Sequence, residues 1–235
     1  MATRPASHAR VSVPQLSSAR FAPDPPSPLA RVDYVCIDVY RGRIRGDNWG
    51  FVATKVLRVS AQNFSENPEH LKDAARELHT WSKCRHRNVL RLRGLANFRG
   101  RIGMVSPWMN KGPLPGYLKN YPAAENPQAN RIDICRQICE GLSYLHNTEI
   151  IHGDLKGANV LVSEDGTPVL ADFGNSTLKD RGLKFTQATD SDKLTARWSA
   201  PKRVISKPSI PPTKALDVYS LGMVRNSVLV MLDHA

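Results

Sequence analysis

The hydrophobic period changes once along this chain, and that change limits the folds open to it. From Val35 onward apolar residues alternate with polar ones in VCIDVYRGRI and, after an RGDN turn, in GFVATKVLRV. Two-residue alternation marks half-buried strands, and it puts Ala53, Lys55 and Leu57 on one face of the second strand. A helix is expected over NPEHLKDAARELHTW, with Asn67 as N-cap, Pro68 at the first helical position and Glu69 in the first turn. Two more strands, NVLRLRGLA and RIGMVSPW, bracket NFRG. After Asn110 the spacing becomes helical, most clearly in RIDICRQICEGLSYLHN, where Ile132, Cys135, Cys139, Leu142 and Leu145 form an apolar stripe read as core. The chain thus divides into a small strand-rich part and a larger helical part, joined near Ser106 to Asn110: an α+β arrangement.

Composition adds bounds to this division. The 235 residues are 41% hydrophobic, enough for a substantial core. Residues 1–31 are rich in Pro, Ser, Ala and Arg, and Pro5, Pro14, Pro23, Pro25, Pro26 and Pro28 break any helix there, so they read as a flexible leader. The four cysteines contain no C-x-x-C pair and read as buried free thiols. No apolar run is long enough for a membrane span and no signal-peptide core follows the start, so an intracellular, cytoplasmic setting is expected. The net charge of +12 is concentrated in part between residues 83 and 101, where Lys83, Arg85, Arg87, Arg91, Arg93, Arg99 and Arg101 occur without an acid. No nucleic-acid motif or aromatic stacking array accompanies them, so the stretch reads as a solvated basic face or a surface for an acidic partner, with no specific nucleic acid expected.

Several short segments follow one another in a fixed order: VATK (residues 52–55), the helical Glu77, HGDLKGAN (152–159), ADFG (171–174), APK (200–202) and DVYSLG (217–222). This succession resembles the eukaryotic protein kinase family, in its tyrosine-kinase-like serine/threonine branch, over about residues 32–224. The resemblance implies a two-lobed fold. A small antiparallel-sheet lobe with one helix and the hinge would span residues 32–109, and a mainly helical lobe residues 110–235. It also implies ATP and Mg²⁺ as cofactors, protein substrates, and transfer of the γ-phosphate to serine or threonine. The alternative is a catalytically weak pseudokinase acting as a nucleotide-binding or scaffold module.

Phosphoryl transfer is mostly a matter of positioning and neutralising charge, and the resemblance assigns residues to those tasks. Lys55 would reach the α and β phosphates, held by Glu77, with Asp73 one turn earlier as the competing acid. Asp172 and Asn159 would supply oxygen ligands to Mg²⁺. Asp154 would accept the proton of the substrate hydroxyl, and Lys156 would neutralise the migrating group. Thr195 would bridge that base and lysine. Ser106 aligns with the gatekeeper of the adenine pocket, Trp108 and Met109 with the hinge, and Ala53 and Leu161 with the residues that sandwich the purine. His152 and Phe173 look like stacked packing residues without a part in proton transfer.

The chain departs from the family pattern at both ends and once in the middle. Gly153 stands where the family usually has arginine, so activity is not expected to be gated by a phosphate quenching that cation; Thr186, Thr189 and Ser191 remain possible phosphosites. Val32, Tyr34 and Ile37 occupy the three positions of the glycine-rich loop, where glycine lets backbone N–H groups approach phosphates. Lys202 replaces the family's glutamate in APK. The helical lobe is expected to be truncated after the helix starting DVYSLGM, leaving Val228, Leu229, Val230, Met231 and Leu232 uncovered.

Overall fold

In a computed structural model of the chain, the described residues are 21–23, 37–44, 48, 50–57, 68–98, 101–120, 127–178, 196–205 and 210–230. An antiparallel sheet comprises β1 (Phe21–Pro23), β2 (Ile37–Ile44), β3 (Val52–Leu57), β4 (Gly94–Phe98) and β5 (Arg101–Pro107), in the spatial order β1-β2-β3-β5-β4. β1 lies within the stretch read as a leader. It pairs at the sheet edge with Gly42–Ile44, where Pro23 is tolerated because an edge has a side that needs no N–H donor. The alternation read in β3 places Val52, Thr54 and Val56 in the interior, and Val52 joins Ile44, Ala96 and Val105 in a small core. Ala53 and Lys55 face the opposite side, toward the helical lobe. Helix α1 (Pro68–Ser82) starts at the expected proline.

The strand expected over residues 88–96 forms only from Gly94 onward, and Val89 makes a lone parallel bridge to Leu170. Asn88 explains the difference. Its buried amide donates to Gln137 Oε1 and to the Pro168 carbonyl, each at 3.0 Å, and its own carbonyl accepts from Leu170 N at 2.9 Å. These bonds tie the segment to the helical lobe before it can join the sheet. Gly141 permits the approach, since a Cβ there would stand 2.6 Å from the Asn88 oxygen.

The helical lobe contains α2 (Leu114–Lys119), α3 (Pro127–Asn147), α4 (Pro201–Ile205) and α5 (Lys214–Val230). Its short strands are β6 (Gly112–Pro113), β7 (Ile150–Ile151), β8 (Val160–Val162), β9 (Pro168–Leu170) and β10 (Thr177–Leu178). β8 lies between β6 and β9, and β7 pairs with β10. The stripe expected on α3 is corrected in part. Cys135, Leu142 and Leu145 are buried, but Ile132 is 56% exposed and Cys139 is also exposed, while Ile134 and Ile138 point inward. Two apolar rows run along this helix, and packing against α5 selects the row flanked by Arg131.

The same contact overturns the expectation that the end of α5 is uncovered. Val224 and Val228 are 1% and 0% exposed and belong to the main core, with Leu229 packed against it. Arg131 Nη1 donates to the Val228 carbonyl at 2.6 Å, satisfying one of the acceptors that a helix end leaves open. A buried valine contributes roughly 1.5–3 kcal/mol relative to an exposed one, so the expected deficit is removed at Val228 and reduced at Leu229. Met231 and Leu232 lie outside the described residues.

The thiols divide as well. Cys84 is 3% exposed and burial pushes its pKa up to about 12, whereas Cys139 is on the surface. Alkylation of the native protein at pH 8 is expected to modify Cys139 well before Cys84, as read by peptide mass spectrometry. Equal labelling of both would contradict this core. Among the described residues no helix is long and apolar enough to cross a membrane.

Candidate active site

Two clusters of polar side chains stand on segments tied together by the bond from Ala171 N to the Asn159 carbonyl. The first begins with Lys55 on β3, whose Nζ donates to Glu77 Oε1 at 2.6 Å and to Asp172 Oδ1 at 3.0 Å. Glu77 is 4% exposed on the inner face of α1. Asp73, the competing acid, stands half in solvent and pairs with Arg76 instead. Burial works against the Lys55 ammonium, but Asp172 and Glu77 outweigh it and hold its pKa above the ordinary lysine value. Burial also pushes the Glu77 carboxyl upward, against the pull of Lys55. For Asp172 the balance is reversed. Burial would raise its pKa, yet the charge and hydrogen bond of Lys55, helped by the Gly174 amide, hold it below the carboxylate range.

Asp172 has φ +66°, a left-handed conformation that is uncommon outside glycine and clusters at functional sites. The segment carrying it is pinned on both sides. Ala171 N donates to the Asn159 carbonyl at 2.9 Å, and Ser176 N donates to the Phe173 carbonyl at 3.0 Å. Phe173 is 1% exposed, with its ring centroid 5.7 Å from His152 and 6.1 Å from Trp81. His152 is fully buried. A proton on its Nε2 donates to the Ala171 carbonyl at 3.1 Å and leaves Nδ1 to accept from Asp154 N at 3.4 Å, so one tautomer satisfies both contacts.

The second cluster sits in the loop between β7 and β8. Lys156 Nζ donates to Asp154 Oδ2 at 2.9 Å. Asn159, in a single 3-10 turn at Gly157–Asn159, donates from Nδ2 to the Asp154 carbonyl at 2.8 Å and to Oδ2 at 3.2 Å. With its amide nitrogen turned to Asp154, Asn159 keeps its side-chain oxygen for another partner. That oxygen and the Asp172 carboxylate are the donors a hard divalent cation prefers. Among the described residues no three or more His, Cys, Asp or Glu gather into a metal cluster. A pair of protein oxygens fits Mg²⁺, which fills its remaining positions with water and phosphate oxygens.

The remaining expected residues are carried by several different elements. Ala53 on β3 pairs in register with Ser106 on β5, which is 3% exposed. Trp108 follows β5 and donates its amide to the Phe51 carbonyl at 3.0 Å, and the Met109 carbonyl accepts from Gly112 N at 3.0 Å. Leu161 is on β8 in the opposite lobe and packs, half-buried, against its core. Of the glycine-rich loop positions only Ile37 is described, at the start of β2 opposite Leu57. Thr186, Thr189, Ser191 and Thr195 lie outside the described residues.

Two features of the site were missed at the sequence level. Asp217, noted only as the first residue of DVYSLG, is 2% exposed and accepts from His152 N at 2.8 Å and Gly153 N at 2.9 Å while pairing with His146 at 2.9 Å. An acid opening an otherwise apolar helix was the available signal. Arg41 on β2 lies 3.7 Å over the Phe51 ring and 5.5 Å from that of Trp108, so a cation flanks the hinge.

A sheet lobe and a helical lobe joined by a hinge, with a lysine–glutamate pair above an aspartate–lysine–asparagine loop, define the protein kinase fold. Residues 38–232 match the protein kinase domain family, and the chain belongs to it. A relative is the RAF proto-oncogene serine/threonine-protein kinase of Xenopus laevis, 31% identical over 188 residues. This alignment takes in 79% of the chain and 27% of the relative, so the chain spans about a quarter of that protein's length. The similarity agrees with the tyrosine-kinase-like branch. Protein kinases as a family use ATP and Mg²⁺ and act on proteins.

Proposed function

We propose that this chain is a protein kinase catalytic domain that transfers the γ-phosphate of ATP to serine or threonine of protein substrates. The observation that carries the reading is the hydrogen-bonded set Asp154, Lys156 and Asn159, joined to the Lys55–Glu77–Asp172 network through the Ala171 N to Asn159 carbonyl bond. Asp154 accepts the proton of the substrate hydroxyl as its oxygen bonds to the γ-phosphorus and the bond to the β-γ bridging oxygen breaks. Lys156 stabilises the charge on the group in transit, and Lys55, aimed by Glu77, holds the phosphates that leave as ADP. Asn159 and Asp172 would hold Mg²⁺, which neutralises phosphate oxygens when bound. Ala53, Leu161, Trp108 and Met109 provide apolar and backbone surface for the adenine.

A complete set of transfer residues at bonding distance favours catalysis over the pseudokinase alternative. Lys156, two residues after the base, supports serine/threonine acceptors. The exposed Arg85, Arg87 and Arg91 suit an acidic partner surface, and a cytoplasmic setting is consistent with the kinase reading. Incubation with Mg²⁺ and ATP over a peptide library offering serine, threonine and tyrosine is expected to yield phosphoserine and phosphothreonine; phosphotyrosine alone would overturn the specificity. Saturating Mg²⁺–ATP is expected to raise the melting temperature by about 3 °C. Asp172→Ala should abolish that rise, and no rise at millimolar nucleotide in the unaltered chain would overturn nucleotide binding.

A further inference from the structure

Gly153 immediately precedes Asp154 and adopts φ +79°, and a Cβ at this position would stand 2.4 Å from the Asn175 carbonyl oxygen. The site therefore excludes a side chain unless the backbone moves. Glycine also samples more conformations than any other residue, so the peptide joining it to Asp154 would be loosely defined if nothing outside the loop held it. It is held from both sides. Its N–H donates to Asp217 Oδ1 at 2.9 Å, and its carbonyl accepts from Arg203 Nη1 at 2.9 Å.

Arg203 comes from α4, fifty residues further along, and is 8% exposed. Its Nε is buried without a hydrogen-bond partner. A guanidinium withdrawn from water this far is costly unless opposite charge lies nearby. Burial lowers its pKa, while the charges of Asp154 and Asp217 act in the opposite sense. Lys202, the adjacent residue on α4, is exposed, so the inward grip of this helix on the loop is made by Arg203.

We propose that Arg203 is a positioning residue for Asp154, fixing the Gly153 carbonyl and so the direction in which the next residue presents its carboxylate. The arrangement supplies a cation behind a loop whose own sequence has none at that place, and it does so from a helix rather than from the loop. The proposal rests on the reading of Asp154 as the base, so its test has one readout that needs no activity.

Hydrogen exchange and steady-state kinetics are to be compared in the full chain for Arg203→Met, Arg203→Gln and Lys202→Met. In Arg203→Met the amides of residues 152–154 are expected to exchange about tenfold faster, and kcat to fall about tenfold with the KM for ATP unchanged, as a displaced reacting group would give. Lys202→Met should match the unaltered chain in both respects. Should Arg203→Met fail to fold, Arg203→Gln decides, since it loses the charge and the reach but keeps a polar side chain. Exchange at residues 152–154 unchanged in the folded Arg203 variant, or equally raised by Lys202→Met, would overturn the proposal. A loop that loosens without a change in kcat would overturn the positioning role. An unaltered chain that transfers no phosphate sinks the kinase reading alone, and the exchange comparison still decides whether Arg203 holds the loop.

Discussion

Asp154→Asn is expected to lower γ-phosphate incorporation by about 10² or more while nucleotide binding persists, because general-base contributions are of that order. Asparagine keeps the size of the side chain and can still accept from Lys156 and Asn159, so the geometry read at 2.9 and 3.2 Å has little reason to collapse. What it loses is the capacity to take a proton. The check is a kinase assay run beside a Mg²⁺–ATP thermal shift. Reduced incorporation with an unchanged shift is the expected pair of results. Equal incorporation in the variant would show that another group accepts the proton, and loss of the shift would show that the substitution disturbs more than the base.

Asp217→Ala is expected to be the most damaging single change to stability. One buried carboxylate accepts from two backbone amides of the catalytic loop and pairs with His146. Removing it leaves two buried N–H groups without a partner, and leaving each such group unsatisfied costs about 1–3 kcal/mol. The sum, roughly 2–6 kcal/mol, is a large share of the ~5–15 kcal/mol that holds a typical domain together. For a domain of this size that corresponds to a fall of roughly 10 °C in the melting temperature. Differential scanning calorimetry measures it directly. A drop within a degree or two would mean that water or a shifted loop replaces the carboxylate.

The candidate site residues could be proposed from the sequence because the motifs that carry the resemblance are short and local. The resemblance assigns Lys55 at the end of VATK and Glu77 on the following helix, and Asp154, Lys156 and Asn159 sit within eight consecutive residues. What could not be read depends on contacts between distant segments. Asn88 belongs to a stretch with good strand character, but its side chain bonds to Gln137 and Pro168, and no local signal announces those partners. On α3 both Ile132 and Ile134 fit a helical row, and only the position of α5 distinguishes them. Val228 is buried in the main core and its carbonyl accepts from Arg131, ninety-seven residues away. The loop between β7 and β8 was likewise recognised as a motif, yet the acid and the guanidinium that clamp Gly153 come from α5 and α4.

The triangle of Lys55, Glu77 and Asp172 contains two acids and one base. Lys55 is already shared between both carboxylates, so on the kinase reading the attraction it offers an approaching polyphosphate is partly offset by Asp172. A divalent cation held at Asp172 would reverse the sign of the Asp172 contribution. Metal and nucleotide would then each raise the affinity for the other by the same factor, as linkage requires. On the kinase reading such a site would respond to metal and nucleotide together more strongly than to either alone.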